Sequence, residues 1–429
     1  MHDWTLAVVA ATLLGYAACS AWLRRTPITP AIFFVTLGYV VGGHVLGLIS
    51  EGSSASSVRL LAEATLTVVL FTDAARIDPR ALRTDHLLPS RLLGIGLPLT
   101  VLLGGVVAAA MFAGLSLPEA MLLAVVLAPT DAALGQAVVT DARLPSRVRQ
   151  ALNVESGLND GICVPLLFIF LALAEADAST NTSTGALRLI AEAIGFGALG
   201  GVVAGAIAAL LLSRGQGGKL VERLWAPTVA VAAAALAYGL AAPIGGSGFI
   251  AAFVAGLTYG TLAPAHDDAE VALAEQIGEV LNGATFILFG AVLAGPAIDA
   301  LNWRIAVYAL LSLTLIRLVP VAIALTGTHA RRQTVGFLGW FGPRGLASIV
   351  FAVIIIEESR LPGAPTILAA TFTTVGLSVF AHGLSARFLT DRYARWYHAH
   401  PPHSRPAMES APSPHHRWRR AHRPGAPGA

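Results

Sequence analysis

Charged residues are scarce in this sequence: only 12% of its 429 residues are Asp, Glu, Lys or Arg. Soluble domains carry about 25% charged residues, so a chain of this length with half that share cannot cover a water-exposed surface. Apolar residues make up 55% of the chain, and the mean hydropathy is +0.70. This composition predicts a protein that lies largely within a membrane.

Cysteine is almost absent, and no metal-ligand spacing occurs. The two cysteines, Cys19 and Cys163, both lie in apolar stretches, so we expect neither a disulfide nor a metal centre built on thiols. The net charge of +3 comes from basic loops and a basic tail, and it does not indicate nucleic-acid binding. We expect no cofactor and no enzymatic activity.

A cleavable signal peptide is not predicted. The first apolar stretch precedes Arg24 and Arg25, whereas a secretory signal carries its positive charge before the apolar run. We therefore expect a retained first helix whose N-terminus lies outside.

Thirteen apolar stretches approach the roughly 20 residues that a helix needs to cross a bilayer. They are Trp4–Leu23, Ile28–Ile49, Val58–Ala75, Leu92–Leu115, Pro118–Thr140, Gln150–Ala174, Ala186–Ser213, Trp225–Ala242, Ser247–Leu262, Glu275–Pro296, Trp303–Thr326, Thr334–Ile356 and Thr366–Phe388. The predicted fold class is an all-α polytopic membrane protein with about 13 transmembrane helices.

Basic residues divide unevenly between the two sets of alternate connections. One set holds seventeen Lys and Arg residues, namely Arg24, Arg25, Arg76, Arg80, Arg83, Arg91, Arg143, Arg147, Arg149, Arg214, Lys219, Arg223, Arg331, Arg332, Arg387, Arg392 and Arg395. The other set holds four: Arg59, Arg188, Arg304 and Arg360. The positive-inside rule then predicts an outside N-terminus and a cytoplasmic C-terminus in the plasma membrane.

The chain divides into residues 1–395, which form the predicted membrane domain, and a tail of residues 396–429. The tail is rich in Pro, His, Arg and Ser. Such a segment cannot bury a core, so we predict disorder there. We interpret it as a solubilising end without a function of its own, and contact of its basic run, His415 to Arg420, with anionic lipid is the alternative.

Helix-breaking residues interrupt two of the predicted spans at corresponding places. Pro129-Thr130-Asp131 interrupts one span, and Gly342-Pro343-Arg344 interrupts another about 215 residues later. Paired interruptions of this kind indicate an inverted-repeat transporter with two broken helices that meet at the binding site.

Several charged side chains lie where a membrane span should be apolar. A charge at the bilayer centre costs at least ~2.5–3.5 kcal/mol, so such residues persist when they pair or when they function. Two arginines and four carboxylates lie deep in the predicted spans: Arg317, Arg344, Asp73, Asp131, Glu155 and Asp160. Glu63, Glu192 and Glu279 lie nearer the span ends, where we expect structural roles.

The polar residues are densest around residues 127–134 and 153–160. Pro129 disturbs the helix beside Asp131, and Ser156 and Asp160 share one face of the next span. Carboxylate, hydroxyl and carbonyl oxygens suit a dehydrated hard cation, but the charges are too few for a divalent ion. We therefore predict that Asp131 and Asp160 converge on a monovalent cation, with Ser156 and Thr130 nearby. Glu155 is expected to pair with Arg317 or Arg344.

Three stretches together resemble the monovalent cation:proton antiporter superfamily, and most closely its bacterial NhaP-type branch, which is related to the sodium/proton exchangers. They are Ala128-Pro-Thr-Asp-Ala-Ala-Leu134, Asn153-Val-Glu-Ser-Gly-Leu-Asn-Asp160 and Phe341-Gly-Pro-Arg-Gly-Leu346. They occur in the family's order and spacing, and the likeness covers roughly residues 1–395. One departure is Ala132, where many members have proline.

The resemblance implies a homodimer that exchanges sodium, or else potassium or lithium, for protons. Asp160, Asp131, Ser156 and Thr130 would bind the cation or protons, and Asn159 in place of a second aspartate implies electroneutral exchange. Glu155, Arg317 and Arg344 match the family's structural ion pair. Asp73 falls near the family's acidic funnel residue.

Two other classes fit less well. Intramembrane aspartyl proteases need Gly-x-Gly-Asp, whereas this chain has Gly157-Leu-Asn-Asp160. A cation channel is a further alternative, but no selectivity-filter repeat is present.

Overall fold

The computed structural model describes residues 4–49, 51–77, 86–131, 133–179, 183–215, 221–222, 225–263, 269–358, 361–401 and 404–411. All regular secondary structure in these ranges is helical. Seven helices are long and apolar enough to cross a membrane, and five shorter helices are also apolar. The prediction of an all-α polytopic membrane protein is confirmed.

The helices are numbered here in chain order. They are α1 (Thr5–Leu23), α2 (Pro30–Val41), α3 (Glu51–Ala75), α4 (Leu87–Met111), α5 (Leu117–Val126), α6 (Gln136–Val139), α7 (Ser146–Ser179), α8 (Ser183–Gly215), α9 (Thr228–Ala241), α10 (Gly248–Leu262), α11 (Ala269–Leu288), α12 (Ala294–Asp299), α13 (Trp303–Leu313), α14 (Leu315–Ala324), α15 (Arg332–Trp340), α16 (Leu346–Glu358), α17 (Ala364–His398) and α18 (Ala407–Ser410). Each of the thirteen predicted stretches overlaps one or two of them. The number that cross the membrane stays a prediction.

The described chain separates into two compact units. Unit 1 comprises the described residues within 1–66, 87–187 and 280–411, and unit 2 comprises those within 67–86 and 188–279. In each unit, glycines allow helices to approach closely.

In unit 1, α2 packs closely against the π-helical turn Phe289–Leu293 that links α11 to α12. Three glycines make this possible: Gly38 faces the carbonyl of Ile287, Gly42 faces Ala291, and Gly290 faces the carbonyl of Val35. A side chain at any of the three would collide with the opposing backbone. Glycine therefore sets the distance between these segments.

In unit 2, a stripe of glycines four residues apart lies along α8. Gly197, Gly201 and Gly205 face the backbone carbonyls of Ser247, Ala251 and Ala255, the last two on α10. This small-residue spacing allows two apolar helices to approach closely without a hydrophobic driving force between them.

Both predicted helix interruptions are present in unit 1. The chain is non-helical between α5 and α6, and again between α15 and α16. Ala132, whose identity departs from the family pattern, lies outside the described residues.

Helix α5 begins with a capping box, in which Ser116 and Glu119 bond each other's backbone amides.

The predicted tail begins too early. Helix α17 continues to His398, and the short helix α18 carries the buried residues Met408 and Glu409. Composition alone suggested disorder here, but polar contacts to the helices of unit 1 hold residues 404–411 in place. Residues 412–429 lie outside the described residues, and their disorder stays a prediction.

Candidate functional site

The two interruptions meet in unit 1. The backbone amide of Asp131 donates a hydrogen bond of 2.8 Å to the carbonyl of Pro343. Proline at 129 and 343 cannot donate to a helix ladder, so the sequence opens both helices at the places where they touch. Non-helical backbone within an apolar fold is tolerated where other groups satisfy its polar atoms.

Asp131 satisfies backbone groups on both interrupted segments. Its Oδ1 accepts from the amides of Ala133, at 2.8 Å, and Leu134, at 3.3 Å, and its Oδ2 accepts from the amide of Leu346 at 3.0 Å. Leu346 is the first residue of α16, where a carboxylate also complements the helix dipole. Asp131 therefore joins its own segment to the start of α16.

Two glycines allow this close approach. A Cβ atom on Gly345 would collide with the Asp131 carboxylate, and a Cβ on Gly342 would lie 2.6 Å from Nε of Arg317 and 3.1 Å from Cγ2 of Thr130. The motif Gly342-Pro-Arg-Gly345 thus needs both glycines for space.

The carbonyls released where α5 ends are taken up by residues from the second interrupted segment. Ser348 donates to the carbonyl of Val126 at 2.8 Å. Arg344 donates through Nη1 to the carbonyls of Ala128 and Pro129 at 3.2 and 3.3 Å. The disturbance of the helix that Pro129 predicts is thus accompanied by protein hydrogen bonds to three carbonyls.

Arg344 is held from its other side by α17. The side chain is fully buried, and its backbone amide donates to Oγ of Ser378 at 2.7 Å. Ser378 lies 3.1 Å from Nδ1 of His382, whose Nε2 lies 2.9 Å from the carbonyl of Trp340. This network ties both ends of the stretch from Phe341 to Gly345 to one helix.

The predicted structural ion pair is formed by Glu155 and Arg317. Two parallel contacts of 2.5 and 2.8 Å join their oxygen and nitrogen atoms, and both side chains are 3% exposed. Such bidentate pairs are strong and geometrically specific. The structure thus separates the two candidate arginines: Arg317 pairs with Glu155, and Arg344 binds backbone carbonyls.

A cluster of small polar groups joins the interrupted segment to α7. Oγ1 of Thr130 lies 3.0 Å from Oγ of Ser156 and accepts a hydrogen bond of 2.7 Å from Nδ2 of Asn159. All three side chains are buried. The amide oxygen of Asn159 is buried without a hydrogen-bond partner among the described residues. The structure thus brings together three of the predicted site residues.

Asp160 lies next to Asn159 and one helical turn beyond Ser156, and it is 7% exposed. Asp131, by comparison, has its carboxylate bound by three backbone amides. Asp73 belongs to unit 2, where its Oδ1 lies 3.6 Å from Nη1 of Arg76.

The arrangement suits a single positive charge. Hydroxyl, amide and carboxylate oxygens are hard ligands, and one buried carboxylate is neutralised by either a proton or a monovalent cation. Within the part of the chain that the structure describes, no group of three His, Cys, Asp or Glu side chains is placed to hold a metal ion.

Sequence reasoning missed Ser348, Ser378 and His382. The strongest available signal was the pair Ser378 and His382, which lie four residues apart in an apolar span and so share one helical face. A histidine inside a membrane span is a polar residue that needs a partner. Ser348 gives no such signal, because serine is common in apolar helices.

Residues 8–392 match the model of the family described as sodium/hydrogen exchanger, transmembrane. The match spans most of the chain. It includes both interrupted segments, α7 and α14, and therefore every residue of the site described above.

Three curated relatives show the range of similarity. The chain is 25% identical to Na(+)/H(+) antiporter 2 of Zygosaccharomyces rouxii, with 78% of this chain and 44% of the relative covered. It is 25% identical to the K(+)/H(+) antiporter NhaP of Alkalimonas amylolytica, with 75% and 55% covered. It is also 25% identical to the Na(+)/H(+) antiporter ApNhaP of Aphanothece halophytica, with 90% and 74% covered. The chain thus spans about half the length of the first two relatives.

A solved structure shares the fold. The sodium proton antiporter MjNhaP1 from Methanocaldococcus jannaschii superposes with a TM-score of 0.72 at 21% identity, and the match covers 88% of this chain and 98% of that protein. The antiporter fold expected from the sequence is therefore confirmed.

Proposed function

This chain belongs to the sodium/hydrogen exchanger family, a family of transporters, and we propose that it exchanges a monovalent cation for protons across the membrane. The observation that carries the proposal is the buried cluster of Thr130, Ser156 and Asn159 beside Asp160, where an interrupted helix meets α7. It supplies hard oxygen atoms next to one carboxylate.

Competition for Asp160 drives the proposed exchange. A carboxylate in a low-dielectric site is strongly stabilised when its charge is neutralised. A proton and a dehydrated cation each achieve this, but both together would leave a net positive charge. Asp160 therefore holds one or the other, and exchange follows if the site opens to one side of the membrane at a time.

The side chains around Asp160 have different proposed roles. Thr130 and Ser156 offer hydroxyl oxygens, and the unpartnered amide oxygen of Asn159 is a further ligand in reach of the cluster. Asp131 supports the site by holding the interrupted segments together through its three backbone contacts. In this division Asp160 is the principal shared ligand.

Sodium is the proposed cation, and potassium is the second candidate. The named relatives include both a Na(+)/H(+) antiporter and a K(+)/H(+) antiporter at the same identity of 25%. Hydroxyl, amide and carboxylate oxygens bind either ion.

Exchange is proposed to be electroneutral, one cation for one proton. Asn159 uses its Nδ2 to hold Thr130 and adds no second carboxylate beside Asp160. A site with one titrating group moves one positive charge in each direction. The rate in proteoliposomes should then not respond to an imposed membrane potential at fixed pH on both sides.

Further proposals concern setting and assembly. The bias of seventeen basic residues against four supports a plasma-membrane protein with an outside N-terminus and a cytoplasmic C-terminus. Reporter fusions at the two ends should show opposite sidedness. A homodimer in contact with membrane lipid is proposed from the family resemblance, and Asp73 is retained as a candidate funnel residue.

The decisive experiment is cation-dependent proton movement in everted membrane vesicles. Vesicles are acidified inside, and a fluorescent pH probe is followed while sodium, lithium or potassium is added in turn. Dequenching that depends on this protein and saturates with one of these ions is expected. A channel would conduct the ion without coupled proton movement, and that result would exclude exchange.

A further inference from the structure

Glu409 lies in the short helix α18 beyond the last long helix, yet its side chain is buried, with 1% exposed. A lone carboxylate rarely enters a protein interior without partners. The partners of Glu409 all belong to unit 1.

Glu409 caps the beginning of α15. Its Oε1 accepts a hydrogen bond of 2.9 Å from the backbone amide of Arg331 and one of 2.6 Å from Oγ1 of Thr334. Arg331 is the N-cap residue of α15, and its own side chain makes no capping bond. In a capping box, a glutamate within the helix reaches back to this amide. Here Glu409, from the separate helix α18, accepts the hydrogen bond of this amide.

The hydrogen-bond directions extend the contact to α17. Thr334 donates its single hydroxyl proton to Oε1 of Glu409. The hydroxyl of Tyr393, which lies 2.8 Å from Oγ1 of Thr334, must then donate to Thr334. One carboxylate thereby orders a chain of donors across two helices.

Neighbouring residues hold α18 in register. Arg147 on α7 donates to the carbonyl of Met408 at 3.2 Å, and the hydroxyls of Tyr397 and Ser410 lie 3.2 Å apart. The guanidinium of Arg405 stacks over the ring of Tyr397 at 5.0 Å. Glu409 is therefore presented to α15 from a segment with contacts of its own.

Helix α15 connects this cap to the candidate site. It has nine residues, so it is a rod roughly 13 Å long. Its last residue is Trp340. The stretch that follows contains Gly342, Pro343 and Arg344, and the last two contact the opposite interrupted segment. A shift of the rod along its axis would displace these residues.

We propose that Glu409 is a positioning residue, which fixes the start of α15 and thereby sets where Pro343 and Arg344 meet the segment around Pro129. The inference rests on the proposed function, because the placement of Arg344 and Pro343 matters through cation binding. It assigns a role in transport to a segment that composition marked as an unstructured tail.

The test compares full-length variants in two assays. Glu409→Ala removes the acceptor, and Glu409→Gln keeps an acceptor oxygen without the charge. Ser404→Ala is the matched control, because the exposed Ser404 hydroxyl bonds the local carbonyl of Pro401. Hydrogen exchange reports residues 331–345, and cation-driven proton movement in proteoliposomes gives the apparent KM for the cation.

Glu409→Ala should speed amide exchange across residues 331–345 and change the apparent KM by about threefold or more, the size expected from losing one or two hydrogen bonds. Glu409→Gln should recover most of the parental KM, and Ser404→Ala should match the parent. A purely structural role would lower the yield of folded protein while the folded fraction kept the parental KM.

The proposal is overturned if Glu409→Ala matches Ser404→Ala in both assays. If Glu409→Ala does not fold, Glu409→Asp takes its place, because its carboxylate is one methylene shorter and cannot reach the α15 amide. Parental behaviour of Glu409→Asp in both assays likewise overturns the proposal. Absence of cation–proton coupling in the parent would instead refute the proposed function. Amide hydrogen exchange of residues 331–345 would still decide whether Glu409 holds α15.

Discussion

Units 1 and 2 are both built from apolar helices, but they bury different side chains. Among the described residues of unit 2, the buried polar side chains are Thr67, Thr72 and Ser247, and none is charged. Unit 1 buries several charged or titratable groups, namely Glu119, Arg149, Glu155, Asp160, Arg317, Arg344, His382 and Glu409.

The difference shows how an apolar fold concentrates its chemistry. Burying a charge is costly unless it is paired or bonded, and unit 1 meets that cost with a network of hydrogen bonds around two interrupted helices. Among its described residues unit 2 avoids this cost. Glycines let helices approach closely in both units. Substitutions of the two kinds should therefore fail in different ways.

The largest expected effect is on transport, from Asp160→Asn. This change keeps the size of the side chain but removes the carboxylate for which cation and proton are proposed to compete. Exchange should fall to background while the protein remains folded, as judged by size-exclusion chromatography and thermal unfolding.

The matched control is Glu192→Gln in unit 2, where Glu192 pairs with the exposed Arg188. It should exchange at the parental rate. A folded Asp160→Asn protein with near-parental exchange would falsify the assignment of Asp160.

The next effect is on stability, from Glu155→Ala. This change strands the buried guanidinium of Arg317, at a cost of about 3–5 kcal/mol. The yield of folded protein and its melting temperature in detergent should fall at least as sharply as transport. The double variant Glu155→Leu with Arg317→Met should recover much of the stability, because it leaves no buried charge. A Glu155→Ala protein as stable as the parent yet inactive would make Glu155 a transport residue instead.

A smaller effect is expected in unit 2 from Gly201→Ala. The new Cβ would lie 2.5 Å from the carbonyl oxygen of Ala251 and 2.8 Å from Cβ of Val254, and such overpacking costs about 1–3 kcal/mol. Gly195→Ala on the same helix meets nothing within 4 Å. It should be neutral or slightly stabilising, since alanine favours helix over glycine by about 0.5–1 kcal/mol. Equal melting temperatures for the two variants would contradict the close approach of α8 and α10.

The smallest effect is expected at the ion pair of unit 2. Arg76 contacts Glu275, with 18% and 29% of the two side chains exposed. Partial hydration and screening leave such pairs a contribution of about 1 kcal/mol or less. A double-mutant cycle with Arg76→Gln and Glu275→Gln should measure a coupling well below that of Glu155 with Arg317. A coupling of equal size would remove the contrast between the units.

Much of the fold could be predicted because its signals are local. Runs of apolar residues mark the helices, and Pro129 and Pro343 mark both interruptions. The pairing of Glu155 with an arginine followed from the scarcity of buried cations. Which arginine it chooses depends on the angle between α7 and α14, and that angle leaves no trace in the sequence.

Other features depend on contacts between distant segments. Ser348 binds the carbonyl of Val126, more than 200 residues away, and Ser378 accepts a hydrogen bond from the backbone amide of Arg344. Serine alone gives no sign of such a partner. The burial of Glu409 was hidden by a segment rich in Pro and His, whose composition resembles that of a disordered tail. Composition describes a segment's average tendency, whereas one well-placed carboxylate can anchor it.

The most direct test of competition at Asp160 is the number of protons released when the cation binds. Purified parent and Asp160→Asn protein are titrated with sodium chloride in weakly buffered detergent solution, with choline chloride as the ionic-strength control, and the released protons are measured at several pH values. The proposed mechanism predicts release approaching one proton per bound cation where the site is protonated, falling as the pH rises, and no release from Asp160→Asn. Saturable cation binding to the parent without proton release at any pH, or equal release from Asp160→Asn, would contradict it.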